Sequence, residues 1–299
     1  MRIAYLGLGA MGAPMAATLA AAGPVRVWNR TGSVARDHAA AHGSVAVAEL
    51  LDLADADVIC TCLPTDVEVA AIATVLGPVL AAGTVWLDHT SGAPAGARDV
   101  AAQLAAHGVT YLDAPVSGGT DGAARGALTV MVGGDAEALA SVRAVLDIVG
   151  DRTVHVGDVG AGMAVKAVNN ALLATALWAA SEGLSALAAQ GVDPVAALEV
   201  ISTSSGRSFA TERLIPERVL PGTFPRTFAL ALLAKDVSLA RGVLDDVELA
   251  APLLHLVDQL TAAASSELGP DADHAELVRI VERAAGVELR AHGMPTTGD

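Results

Sequence analysis

Lysine is nearly missing from this chain. Of 18 basic residues only Lys166 and Lys235 are lysine, and against 33 acids they leave a formal net charge of -15. The deficit excludes nucleic acid as a partner, because a phosphate backbone is gripped by clustered Lys and Arg. An anionic ligand can bind only where local donors overcome the general repulsion, so each basic residue is informative. Aromatics are scarce too, at 3%, while hydrophobic residues reach 53% largely through alanine. That balance points to Ala-rich helices, not to an aromatic-rich sheet sandwich.

Cysteine is limited to Cys60 and Cys62, two apart in an apolar run, with both thiols on one face of a strand. A disulfide is disfavoured there by geometry and two thiols make a poor metal site, so both read as core residues in a reducing cytoplasm. The eight histidines are scattered without ligand spacing, and no metal site is expected. No basic segment with a small-residue cleavage site opens the chain. The most apolar stretch, 171–180, is bounded by Asn169-Asn170 and Glu182, shorter than the roughly 20 apolar residues that cross a bilayer. A cytoplasmic protein without membrane attachment is the expectation.

What is present is a change of pattern near Gly160. Before it, short apolar runs at 2–7, 25–29, 58–63, 84–88, 110–113, 128–132 and 154–156 alternate with helical spacing at 10–22, 65–76, 94–107 and 135–149. Strands alternating with helices imply parallel pairing through right-handed crossovers, hence a doubly wound α/β sheet. After it no strand pattern returns. A long helix is predicted over 160–190, closed by Gly191, followed by Asp193-Pro194 as cap and first-turn proline. Further helices are predicted over 229–244, 252–268 and 274–285. The expected division is 1–160, a dinucleotide-binding domain, and 161–299, an all-helical domain for substrate and oligomerisation.

Three constellations carry chemistry. Gly7-Leu8-Gly9-Ala10-Met11-Gly12 follows a strand and opens a helix, the context in which such glycines make a tight turn, admit a pyrophosphate and pack helix on sheet. The next strand ends in Asn29-Arg30-Thr31, where an enzyme using NAD would place an acid on the ribose 2′-hydroxyl. Donors replace the acid and a guanidinium suits a 2′-phosphate, so NADP(H) is favoured over NAD(H). Ser117-Gly118-Gly119 at the end of a further strand offers a hydroxyl and backbone amides to a carboxylate, with a structural turn as the alternative. Lys166 and Asn170, at i and i+4 on the long helix, project from one face. In a chain that prefers arginine, a retained lysine suggests an amine that must give up its proton, as general acid–base work requires.

Together these segments resemble the β-hydroxyacid dehydrogenase family. The resemblance runs through 7–19 (GLGAMGAPMAATL), 62–64, 88–91, 113–119 (DAPVSGG), 130–134 (VMVGG), 160–170, 235–236 and 272–277 (ADHAEL), nearly the whole chain in order. It implies a Rossmann-type doubly wound sheet followed by an all-helical C-terminal domain, acting on a small carboxylate-bearing substrate as a homodimer or higher homo-oligomer. It also implies that Lys166 is the catalytic acid–base, that Ser117, Gly118 and Gly119 receive the substrate carboxylate, and that Asn170 orients the substrate. Leu63, Pro64 and Ser91 would line the cofactor and Lys235 would close over its nicotinamide. The reaction implied is the interconversion of a 3-hydroxy acid and its semialdehyde. Thr18 departs from the family's usual Asn, beyond the glycine turn. The alternatives are an imine or ketone reductase on the same scaffold, whose members generally lack the lysine, and a non-catalytic cofactor-binding module, which would need none of Lys166, Ser117 and Asn170.

Overall fold

The computed structural model describes residues 1–291, so the final stretch of the expected helical domain, 292–299, lies outside the described residues. The chain divides into two compact units that meet in sequence between Lys166 and Ala167.

The first unit is built on a nine-stranded sheet. Strands β1 (Ile3–Leu6), β2 (Val25–Trp28), β3 (Val45–Ala46), β4 (Val58–Thr61), β5 (Val85–Asp88) and β6 (Thr110–Asp113) run parallel in the order β3-β2-β1-β4-β5-β6. Helices α1 (Gly12–Ala22), α2 (Gly32–His42), α3 (Asp66–Leu76) and α4 (Pro94–Ala105) make the connections. Side chains alternate across each strand, so the sheet has two dry faces. Tyr5, Val27, Cys60 and Leu87 pack against Met15 and Leu19 of α1 and against Leu146 and Val149. Their neighbours Ala4, Leu6, Ile59 and Trp86 face Val69, Ile72 and Leu76 of α3 and Val100 and Leu104 of α4.

The expectation of parallel pairing needs correction at one edge. The chain leaves β6 through Ala114-Pro115 and continues as β7 (Val116–Ser117). Strand β8 (Thr129–Gly133) runs antiparallel to both, Gly133 opposite Asp113 and Val130 opposite Val116. A proline has no amide to give a ladder, and its carbonyl alone is used here, accepting from Met131 N at 3.0 Å. Strand β9 (Arg152–Gly157) then pairs parallel with β8. The short strands β3 and β7 and the helix α2 escape the sequence pattern, because two-residue strands show no alternation and α2 buries only Ala35 and His38, too few for an apolar stripe. Helices α5 (Gly119–Ala124) and α6 (Ala136–Val149) complete the unit.

Helix α7 (Ala161–Ala189) begins in the first unit and continues into the second. It is 29 residues long and apolar enough to cross a bilayer by length and composition. Ala171, Ala174, Leu177, Trp178 and Leu184 on it pack into the second core, with Leu214 and Ile215, Leu230 and Leu233, and Leu277 and Val278. Its end is a Schellman arrangement: Gly191, at φ +83°, donates to Ala188 O and Val192 to Leu187 O. Asp193 then caps α8 (Pro194–Thr203) by accepting from Val195 N at 3.2 Å. Helices α9 (Leu230–Asp245), α10 (Pro252–Leu268) and α11 (Val278–Ala285) follow the sequence pattern closely. A π-helical stretch, Ala210–Val219, does not, since Pro216 inside it argues against a regular helix.

At the N-terminus, Arg2 donates from Nη2 to Asp57 at 2.7 Å and from its backbone amide at 2.6 Å. These bonds hold the Asp57 carboxyl down at about 2, from an ordinary 3.8. The folded state therefore binds fewer protons than the unfolded one between those values, and the pair's contribution to stability is complete above the higher value and drains away as pH falls towards the lower. Titration of Asp57 by NMR is expected to show the low midpoint, and Arg2→Ala to return it towards 3.8. A wild-type midpoint already near the ordinary value would contradict the pairing.

Candidate active site

The glycine turn sits at the carboxyl end of β1. Gly7 adopts φ +95°, and a Cβ there would lie 2.3 Å from Cys62 O. A Cβ on Gly12 would lie 2.0 Å from Gly7 O, so both positions are closed to any other residue. Gly9 has no heavy atom within 4 Å of where its Cβ would be. The turn is thus tight at its two ends and open at the middle glycine, as a site for close backbone approach of a pyrophosphate requires. Leu8 is buried while Gly9 and Ala10 are exposed and Met11 half-buried at the start of α1.

Asn29, predicted as a cofactor ligand, serves the turn itself. Its Oδ1 accepts from Leu8 N at 3.1 Å and its Nδ2 donates to Thr31 O at 3.2 Å. Arg30 and Thr31 stand exposed at the same strand end. A cavity of about 430 Å³ opens beside them, lined by Trp28, Asn29, Arg30, Glu49, Leu50 and Val75. The charge of Arg30 contributes to holding Glu68 below the usual carboxylate range, after the larger effect of the hydrogen bond from Thr65.

The ends of β4, β5 and β6 are tied by a buried polar network that the sequence did not reveal. Asp88, the last residue of β5, accepts from Tyr111 Oη at 2.7 Å, Thr61 Oγ1 at 2.8 Å and Thr90 N at 3.0 Å. Thr61 accepts from Trp86 Nε1 at 3.0 Å, and Thr90 Oγ1 from Leu63 N at 3.0 Å. Burial pushes the Asp88 carboxyl up, and the hydrogen bonds pull it back. The network fixes the loops that carry Leu63, Pro64 and Ser91. An aspartate ending an apolar strand was the signal available for it.

Asp113 ends β6 in the same way and is fully buried. Its Oδ1 accepts from Gly160 N at 2.8 Å and its Oδ2 from Met163 N at 2.9 Å, at the start of α7. Four residues on, Ser117 is half-buried, and Gly118 and Gly119 are exposed with φ of +137° and +67°. Lys166 is half-buried on α7, one turn before the buried Asn170.

In the helical unit Asn170 Nδ2 donates to Asp236 Oδ2 at 2.6 Å and its Oδ1 accepts from Asn169 at 3.2 Å, which fixes the carboxamide. Lys235 lies 3.3 Å from Asp236 Oδ1. Asn170, Lys235 and Asp236 therefore converge; Asp236 lies in the 235–236 segment of the resemblance, which gave it no role in the site. Arg207 lies exposed in its loop.

An open glycine turn between a parallel strand and a helix, with polar strand ends beside it, is the geometry of a dinucleotide-binding fold. Residues 2–157 match the family model for the NAD-binding domain of 6-phosphogluconate dehydrogenase. Residues 160–281 match that for the NAD-binding domain of NADP-dependent 3-hydroxyisobutyrate dehydrogenase. The chain belongs to the β-hydroxyacid dehydrogenase family of NAD(P)-dependent oxidoreductases.

It is 35% identical to 2-(hydroxymethyl)glutarate dehydrogenase of Eubacterium barkeri over 97% of each chain. It is 37% identical to the NAD-dependent L-serine dehydrogenase of Pseudomonas aeruginosa over 80% of this chain and 84% of that one. A solved structure of Mycobacterium tuberculosis 3-hydroxyisobutyrate dehydrogenase with L-serine superposes with a TM-score of 0.88 at 33% identity, covering 94% of this chain and 99% of the other.

Gly9 and Gly12 are expected to separate on substitution. Gly9→Ala should keep the wild-type melting temperature within a few degrees and weaken dinucleotide binding about tenfold or more, while Gly12→Ala, whose Cβ meets Gly7 O, should lower both. Equal thermal loss in the two variants, by differential scanning fluorimetry, would contradict an open Gly9.

Proposed function

We propose that this protein interconverts a small 3-hydroxy acid and its semialdehyde with NADP(H), and that Lys166 is the general acid–base. The observation that carries the reading is that Lys166 and Asn170 stand one turn apart on α7 and that the Asn170 carboxamide is held in one orientation by Asp236 at 2.6 Å. A dinucleotide fits the open turn at Gly9, and a bound nicotinamide supplies or accepts the hydride at the carbinol carbon. Ser117 and the amides of Gly118 and Gly119 hold the substrate carboxylate. Asn170 directs the substrate oxygen towards the Lys166 amine. In reduction Lys166 gives its proton to the developing alkoxide, and in oxidation the neutral amine takes the hydroxyl proton. Leu63, Pro64 and Ser91 would border the nicotinamide of a bound cofactor, and Lys235, which pairs with Asp236, would supply it with positive charge.

The preference for the phosphorylated cofactor rests on Arg30 and Thr31, exposed at the end of β2, where residues 29–31 include no acid. Charge-assisted hydrogen bonds of this kind contribute about 1.5–3 kcal/mol each. Homo-oligomers are supported by the large apolar side chains that the helical unit leaves exposed, among them Leu172, Phe209, Leu253 and Leu256.

The test is turnover of 3-hydroxyisobutyrate, L-serine, 2-(hydroxymethyl)glutarate and the succinic, methylmalonic and tartronic semialdehydes with each cofactor. NADPH is expected to be preferred, Arg30→Ala to reduce that preference by about 10- to 100-fold, and Lys166→Ala to lower kcat by about 10²- to 10⁴-fold. Turnover of cyclic imines alone, or cofactor binding with no turnover at all, would overturn the reading. Light scattering of the purified chain is expected to give a dimer or larger, and a monomer at micromolar concentration would count against the oligomer.

A further inference from the structure

Strand β6, which ends four positions before Ser117, terminates in a buried carboxylate. Asp113 is 0% exposed, and burial pushes its carboxyl up against the pull of the backbone amides it accepts from. It is engaged at both oxygens by Gly160 N and Met163 N. The first amides of a helix have no partner within it, and an anion aligned with them gains from the helix dipole as well. Charge-assisted bonds from two amides fix position better than one neutral cap.

The seat around this carboxylate is closed on both sides. A Cβ on Gly162 would lie 2.4 Å from Met131 O and 2.8 Å from Asp113 Oδ2, so α7 can settle against β8 only with glycine at that position. A Cβ on Gly133 would lie 2.5 Å from Asp113 Oδ1 and 2.7 Å from Asp158 O. Asp113 is also joined to Ser117 through only three residues, Ala114, Pro115 and Val116, and Val116 and Ser117 pair with β8. Lys166 stands three residues, just under a full turn, beyond Met163 on the helix that the carboxylate holds.

We propose that Asp113 is a positioning residue. It locks the starting point of α7 to the strand end that presents Ser117, Gly118 and Gly119, and so sets the Lys166 amine relative to the substrate carboxylate. The inference rests on the proposed role of Lys166. A misplacement of about 1 Å in such a pair can cost on the order of 100-fold in rate.

Asp113→Asn keeps the size of the side chain but turns one acceptor into a donor facing an amide. Gly162→Ala disturbs the same seat from the helix side and leaves the carboxylate in place. Both variants are to be compared with wild type and Lys166→Ala, on the acid of the panel that wild type oxidises best, with kcat expressed per mole of NADPH-binding sites so that misfolded protein is not counted. Both are expected to lose about 100-fold in kcat while the KM for the acid and the Kd for NADPH change less than threefold. Hydrogen exchange of the Gly160 and Met163 amides should accelerate in Asp113→Asn. An unchanged kcat per site in both variants, beside an inactive Lys166→Ala, would overturn the positioning role alone. Equal losses in kcat and NADPH affinity would assign Asp113 to structure only and overturn it as well. A fully active Lys166→Ala, or a wild type that oxidises none of the acids, would overturn the reading of the site and this inference with it.

Discussion

Two aspartates end adjacent parallel strands with their carboxylates buried, and the geometry of this site depends on what those carboxylates accept. Asp88 gathers Thr61, Thr90 and Tyr111, and Asp113 gathers the first amides of α7. A buried carboxylate is tolerable only when its oxygens are satisfied. Satisfying them here ties the loops after β4 and β5, and the start of the long helix, to the carboxyl edge of the sheet. In an open parallel sheet that edge is where ligands bind. The same bonds that make the burial possible therefore hold rigid the segments that would meet cofactor and substrate.

The rest of the architecture is consistent with that constraint. The two dry faces of the sheet come from strict alternation, with Tyr5 and Cys60 on one side and Leu6 and Ile59 on the other. Cys60 is pushed up to about 12 by burial and behaves as a core residue, as its place in the strand suggests. The glycine turn is braced from outside by Asn29, whose side chain substitutes for a backbone partner at Leu8. In the helical unit a third buried carboxylate, Asp236, performs the corresponding task for Asn170 and Lys235. Polar side chains that look like ligands in the sequence thus divide into those that face outward, such as Arg30 and Thr31, and those consumed in holding others in place.

Much of this protein was legible in its residues. Alternating apolar runs and helical spacing determined a doubly wound sheet followed by helices, because burial on two faces imposes period 2 on strands and period 3.6 on the helices that cover them. The spacing of Gly7, Gly9 and Gly12 determined the turn, since only glycine fits where a Cβ would strike Cys62 O or Gly7 O. Only the tertiary structure decided the antiparallel turn-back of β8, which is made after β7 across residues 118–128 through α5 and has no periodic signature. It also decided the hydrogen-bond partners of Asp88, Asp113 and Asp236, which lie 2 to 66 residues away from them in sequence. A carboxylate's burial and its donors are properties of the packed chain, set by which distant amides and hydroxyls the fold delivers to it, and no local pattern encodes that delivery.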